Sequence, residues 1–187
     1  MIVAETRRIL TLLDQVEQFG NLRPIDPKPL NIHDVLDRAR RSAQLGFSAH
    51  INFREDYDPS LPLVYGDPDQ LLQVFLNLIK NASEVQPKSG KIRLRTYFEH
   101  NFKLRRADGS GHSMPIQVEV MDNGPGVPED MKDEIFDPFV SGRVNGTGLG
   151  LALTSKIISD HNGLISLNSK LGNTVFRISL PFVSQPD

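Results

Sequence analysis

The sequence contains no cysteine. That excludes disulfides, cysteine-ligated zinc, iron–sulfur clusters, thiolate nucleophiles and thiol redox switching together, and it fits a reducing compartment. Neither sign of charge is in excess: 21 Lys and Arg stand against 23 Asp and Glu, for a formal net charge of −2. A chain without a basic field has no sequence-wide attraction for nucleic acid. Long apolar runs are missing too. The strongest, Leu71 to Ile79, is broken by Gln73 and Asn77 and falls far short of the roughly 20 residues that a membrane span needs. The first residues, Met1-Ile2-Val3-Ala4-Glu5-Thr6-Arg7-Arg8, do not show the basic-then-apolar order of a signal peptide. The expectations are therefore no nucleic acid, no membrane and a cytoplasmic location. A length of 187 residues predicts one core with a small appendage, large enough to need no metal or disulfide to hold it.

Ile9, Leu12, Leu13 and Val16 stand at helical spacing between Ile2 and Phe19, with Gly20-Asn21 as a stop. This helix starts without a cap and its stripe needs a partner, as in one arm of a cut helical hairpin. Pro24, Pro27 and Pro29 follow as a stiff spacer, since each fixes φ and removes a backbone donor. The expected division is 1–23 for the remnant helix, 24–30 for the linker and 31–184 for the main domain.

In that domain Asn31 caps a helix from Ile32 to about Gly46, and Ala49 to Asp56 reads as a strand. Asp67, Pro68 and Gln70 read as N-cap, N1 proline and capping-box partner of a long helix reaching about Val85. Its core-facing residues are expected to be Leu72, Phe75, Leu76 and Ile79. Ile92 to Phe98 alternates as a strand, and a polar connection, His100 to Ser113, leads in a long hairpin to a second strand, Ile116 to Met121. The stretch from Asp122 to Gly148 is rich in Gly and Pro, with one helical turn around Glu129 to Ile135. A loop this long in a compact domain marks function or disorder. A helix from Leu149 to His161 and two closing strands, Leu164 to Ser169 and Thr174 to Leu180, complete the chain. About five strands and three helices make a two-layer sandwich with the helices on one face the economical arrangement.

Three groups of residues carry chemistry. Asn77 and Asn81 are four apart on a helix and share a face. Their amide oxygens suit Mg²⁺ that already carries phosphate, or they are ordinary structural amides. Asp122-Asn123-Gly124-Pro125-Gly126-Val127 follows a strand directly. Asp122 can accept from an exocyclic amine while the glycines let backbone approach a flat ring, or the segment is simply a turn. Gly146-Thr147-Gly148-Leu149-Gly150 opens a helix whose first N–H groups can hold phosphate, with Arg143 three residues upstream as a mobile cation. It is neither a dinucleotide fingerprint nor a P-loop, because the spacings differ.

The order of these groups, with Phe136-Asp137-Pro138-Phe139 between the last two, resembles the catalytic, ATP-binding domain of sensor histidine kinases. That domain belongs to the ATPase superfamily shared with gyrase, MutL and a class of heat-shock chaperones. The resemblance covers roughly Pro29 to Pro181. The wording around Asn31-Ile32-His33-Asp34-Val35-Leu36 and Asn81-Ala82-Ser83-Glu84 is most similar to nitrogen-regulatory kinases of the NtrB type. It implies a Bergerat-type α+β sandwich: a mixed, about five-stranded sheet, three helices on one face and a flexible ATP lid over Val127 to Asn145.

By the same resemblance Asn81 ligates Mg²⁺, Asn77 contacts Mg²⁺ or phosphate, and Asp122 accepts from the adenine amine. Gly124 and Gly126 line the adenine, Thr174 supports Asp122 through water, and Val127, Ile135, Phe136 and Phe139 belong to the ATP-binding set. Gly146, Thr147, Gly148, Leu149, Gly150 and Leu151 receive the phosphates, and Lys80 or Arg143 supplies a cation. Glu84 stands where many members have a basic residue. The family's acceptor histidine lies in a His-Glu/Asp motif of a helical hairpin, whereas His33, His50, His100, His112 and His161 read as surface or capping residues.

The implied function is transfer of the γ-phosphate of Mg·ATP to a histidine outside this chain. The implied partners are the acceptor hairpin of the same kinase, an NtrC-like response regulator and a PII-type regulator, with a homodimer at full length. Two other readings stay open, an ATP-hydrolysing clamp and a nucleotide-responsive interaction module. The clamp relatives carry a general-base Glu where this chain has Asn77.

Overall fold

The computed structural model describes residues 22–87, 89–105, 111–142 and 146–182, with the single positions Thr6, Leu13, Val16, Glu17 and Gly20. Those five positions are helical, and Leu13 and Val16 are exposed. The rest of the expected helix before the prolines lies outside the described residues.

In chain order the elements are β1 (Lys28–Leu30), α1 (Ile32–Leu45), β2 (Asn52–Asp56), β3 (Val64–Gly66), α2 (Pro68–Glu84), β4 (Lys91–Phe98), β5 (Lys103–Arg105), β6 (Gly111–Ser113) and β7 (Ile116–Asp122). A 3₁₀ turn (Glu129–Met131), α3 (Gly150–Asp160), β8 (Leu164–Lys170) and β9 (Asn173–Leu180) follow. The main sheet has five strands in the order β2-β4-β7-β9-β8, with β2 parallel to β4 and every other pair antiparallel. Alternate residues of the central strands (Ile92 and Leu94, Val118 and Val120, Phe176 and Ile178) are buried against the three helices, as the period of two requires. This is the expected two-layer α+β sandwich with a mixed sheet.

Local details depart from expectation. The face of α2 in the core is Leu71, Val74, Phe75, Leu78 and Ile79, whereas Leu72 and Leu76 are only partly buried. A helix covered by α1, α3 and the sheet buries a wider arc than one stripe. The strand expected from Ala49 begins at Asn52, because residues 46–50 turn out of α1. The end of the proline spacer is a strand: β1 pairs with β3 antiparallel, with Pro29 opposite Tyr65. The His100 to Ser113 connection contains the two-stranded β5–β6 pair. The turn expected over Glu129 to Ile135 is helical only at Glu129–Met131.

Asp67 joins three parts of the fold. Its carboxylate caps α2 by accepting from the N–H groups of Asp69 and Gln70. It also accepts from Asp26 N at 3.1 Å and pairs with Arg23 Nη1 at 2.8 Å. The capping box is not closed by Gln70, whose amide donates to Arg23 O at 2.9 Å. Asp67 N donates instead to Nε2 of His161 at 2.9 Å, and Nδ1 of that ring contacts Ile157 O at 2.7 Å. A ring that accepts at Nε2 and donates at Nδ1 is the neutral Nδ1–H tautomer. His161 caps α3, as expected of it, but it is buried rather than on the surface.

Burial pushes the Asp67 carboxyl up, and the three backbone N–H donors with Arg23 outweigh it, so the group titrates below 3.8. The contribution of such a carboxylate is present above its unfolded pKa and is lost as pH falls through the folded one. Asp67→Ala is expected to lower stability by about 2–4 kcal/mol, from a lost cap and stranded donors. The difference from wild type, followed by urea unfolding, should be full above about pH 5 and narrow below 3.8.

Candidate functional site

One end of the sandwich is open between α2, the end of β7 and the start of α3. The space there is about 630 Å³, the size of a small-ligand site. Its walls are built from segments far apart in sequence.

Helix α2 supplies Asn77, Lys80, Asn81 and Glu84, which a period of 3.6 places on one side of the helix. The opposite side is the core face, which fixes the rotation of α2. Lys80 Nζ lies 3.9 Å from Glu84. Asn77 donates from Nδ2 to Gly150 O at 3.4 Å, tying α2 to the first residue of α3 and leaving the amide oxygen as an acceptor.

Asp122, the last residue of β7, is 6% exposed. Its Oδ1 accepts from Gly124 N at 2.8 Å, which orients the carboxylate. A Cβ on Gly124 would stand 2.8 Å from that oxygen and 2.9 Å from Val85 Cγ2, so no larger residue fits behind the acceptor. Gly126 has φ +86, and a Cβ there would meet Lys170 O at 3.1 Å. The loop after Asp122 is also held to the β8–β9 turn through Gly172 N and Gly124 O, at 2.9 Å.

Among the described residues, the segment expected as a lid is joined to the chain just before α3 by a backbone hydrogen bond. Phe139 N donates to Gly148 O at 3.1 Å, and both residues have positive φ, 68 for Phe139 and 70 for Gly148. Gly148 must be glycine on two counts, its positive φ and the 2.4 Å that would separate a Cβ from the Phe139 carbonyl carbon. The N-cap position of α3, Leu149, makes no side-chain cap bond, so the first-turn N–H groups are not satisfied by that side chain, and Gly150 and Leu151 of that turn line the space.

Most residues expected at the site line this space: Asn77, Lys80, Asn81, Asp122, Gly126, Val127 and Ile135, then Gly146, Thr147, Gly148, Gly150 and Leu151, and Thr174 from β9. Four expected residues do not. Gly124 stands behind Asp122, and Leu149 is buried at 2% exposure. Phe136 packs edge-on against Phe176, with centroids 6.3 Å apart. Phe139, at φ 68, is 69% exposed. Arg143 lies outside the described residues. Sequence reasoning missed Val85, Met131 and Phe176, which give the cavity much of its apolar lining; Val85 follows the last turn of α2 and was readable only as a helix end.

Two amide oxygens on α2 are neutral hard ligands. Among the described residues no three His, Cys, Asp or Glu side chains stand close enough to hold a metal. That donor set fits Mg²⁺ that brings its own phosphate oxygens and waters, and does not fit a cation held by protein alone.

No described histidine stands on the cavity wall. His33, whose His-Asp pair resembled an acceptor motif, sits in the first turn of α1. It is stacked on Tyr57 at 4.8 Å and bonded through Nε2 to Thr96 Oγ1 at 2.9 Å. Burial lowers its pKa below 6.5 against the pull of Asp37, Asp58 and Asp34. The ring is a structural part of the sandwich.

The sequence pattern of a family described as histidine kinase-, DNA gyrase B- and HSP90-like ATPase matches residues 66–184. The chain is 66% identical to the sensory histidine kinase/phosphatase NtrB of Rhodobacter capsulatus over 97% of its own length and 51% of the relative's. It thus spans about half the length of the curated relatives it matches. The nucleotide-free catalytic domain of the histidine kinase ThkA superposes with a TM-score of 0.68 at 27% identity, over 83% of this chain and 95% of that one. ThkA in complex with the response regulator protein TrrA superposes with a TM-score of 0.76 at 24% identity, over 97% of this chain and 49% of that one. The chain belongs to the histidine kinase-, DNA gyrase B- and HSP90-like ATPase family.

Proposed function

We propose that this chain binds Mg·ATP and passes the γ-phosphate to a histidine of the same kinase that lies outside the chain. The reading rests on one observation: a single cavity wall brings together the paired amides of α2, the buried carboxylate of Asp122 and the glycine-rich start of α3. Asp122 accepts from the adenine amine, and Val85, Met131, Ile135 and Phe176 flank the base. The α3 start with Gly146, Thr147 and Gly148 takes the phosphates, with Lys80 and Arg143 as the cations. Asn81, with Asn77 beside it, would hold Mg²⁺, which neutralises charge on the transferring group when bound.

The acceptor imidazole is itself the nucleophile, so the chain needs no base to activate water, and catalysis is positioning with charge stabilisation. This favours a kinase over an ATP-hydrolysing clamp, because Asn77 cannot remove a proton from water. The whole protein would act in a two-component system, in nitrogen regulation, as a cytoplasmic homodimer with an NtrC-like response regulator and a PII-type regulator. Among the described residues no helix is long and apolar enough to cross a membrane.

The test mixes this chain and γ-labelled ATP with a separately made acceptor hairpin. Mg²⁺-dependent label on the hairpin is expected, and no label would overturn the reading in favour of a nucleotide-responsive module. Asn81→Ala should remove the Mg²⁺ dependence of binding, measured by calorimetry with and without the ion.

A further inference from the structure

The hydroxyl of Ser169, on β8, has no role in the site as read so far. Strand register places it in a row with two cavity residues: Asp122 opposes Thr174 across β7 and β9, and Thr174 opposes Ser169 across β9 and β8. Residues directly opposed in a sheet share a face.

Ser169 Oγ accepts from Val127 N at 2.9 Å and lies 3.2 Å from Thr174 Oγ1. The side chain is 3% exposed, and among the described residues these are its two hydrogen-bond contacts. A serine hydroxyl carries one proton and two lone pairs. The backbone N–H occupies a lone pair. Were Thr174 to donate to the other, the Ser169 proton would be buried without an acceptor, which is the costly outcome. The satisfied arrangement has Ser169 donating to Thr174. Thr174 is then an acceptor on its Ser169 side, and its own proton goes to the cavity that it lines.

Resting on the nucleotide reading above, we propose that Ser169 is a positioning residue that fixes the Thr174 hydroxyl as a donor toward the cavity. The wall then offers an acceptor, Asp122, beside a donor, Thr174. That pair is complementary to a base edge carrying an amine next to an unprotonated ring nitrogen, as in adenine. It opposes an edge carrying a carbonyl next to a ring N–H, as in hypoxanthine and guanine. Val127 N–H, at the foot of the loop that follows Asp122, sets the direction of the chain of hydroxyls.

The probe is 1-deaza-ATP, which keeps the amine and replaces the ring nitrogen by C–H. Calorimetric affinities for ATP and 1-deaza-ATP are compared in wild type, Ser169→Ala, Ser169→Thr and the near-isosteric weak donor Ser169→Cys. Wild type should prefer ATP by about 3- to 10-fold, the range of one neutral hydrogen bond. Ser169→Ala and Ser169→Cys should narrow the preference to within about 2-fold, and Ser169→Thr should restore it. A merely structural serine would weaken both nucleotides equally, and an unchanged ratio in the two variants would overturn the proposal. Ser169→Cys supplies the answer if the alanine variant does not fold. Wild type that binds neither nucleotide would refute the nucleotide reading itself, whereas binding with an unaltered ratio refutes only the role of Ser169.

Discussion

Asp122→Asn is expected to weaken ATP binding by roughly 10- to 150-fold, the effect of losing a charged acceptor from a hydrogen bond in a buried site. The carboxylate is 6% exposed and fixed at the end of β7 by its register with Ile92 on one side and Thr174 on the other. Its Oδ1 is already used by Gly124 N at 2.8 Å. Asparagine keeps an oxygen for that bond, so the turn survives, but its second position becomes an NH₂ donor facing the donor amine of the base. The loss is therefore electrostatic and local. Calorimetry should show the drop while the thermal unfolding midpoint stays within a few degrees of wild type; equal affinity in the two proteins would remove Asp122 from the site.

The parts of this site legible in the sequence depend on short-range spacing. Asn77 and Asn81 share a face because helices have a fixed period, and Asp122 was placed because a strand ends just before a glycine pair. The helix and strand periods were enough to anticipate the sandwich and the five strands of its main sheet, though not the short strands β1, β3, β5 and β6, and the order of the motifs anticipated many residues of the cavity wall. What escaped depends on partners distant in the chain. Ser169 is an ordinary strand hydroxyl whose meaning comes from Val127, 42 residues away. His161 reads as a surface or capping residue at a helix end, and its burial is explained only when Asp67 N, 94 residues earlier, is found on its ring. The strand Lys28–Leu30 contains a proline and is three residues long; it exists because Val64–Gly66 offers it an edge. Phe139 joined the expected ATP-binding set through the resemblance of Phe136-Asp137-Pro138-Phe139, but residue type carries no sign of φ, and at φ 68 this residue is 69% exposed.

That same joint carries the second large effect. Gly148→Ala is expected to reduce ATP affinity by about 10- to 100-fold through the backbone rather than through a lost contact. Two costs combine. A residue with Cβ at φ +70 is strained by roughly 1–2 kcal/mol. The added carbon would also lie 2.4 Å from the Phe139 carbonyl carbon and 2.6 Å from Val140 N. Those are main-chain atoms that cannot rotate aside, so either the Phe139–Val140 peptide or the start of α3 must move. Both border the cavity, through Val140 on one side and Gly150 on the other, and the Phe139 N to Gly148 O bond that joins them would be broken. Gly172→Ala separates the two costs. Gly172 has φ +77 but nothing within 4 Å of an added Cβ, and it is not on the cavity wall. That variant should lose stability from strain alone and keep its nucleotide affinity within about 2-fold of wild type. Calorimetric binding and urea unfolding of the two variants decide the matter: if Gly148→Ala binds ATP as wild type does, the joint between Phe139 and Gly148 does not hold the phosphate side of the site in place.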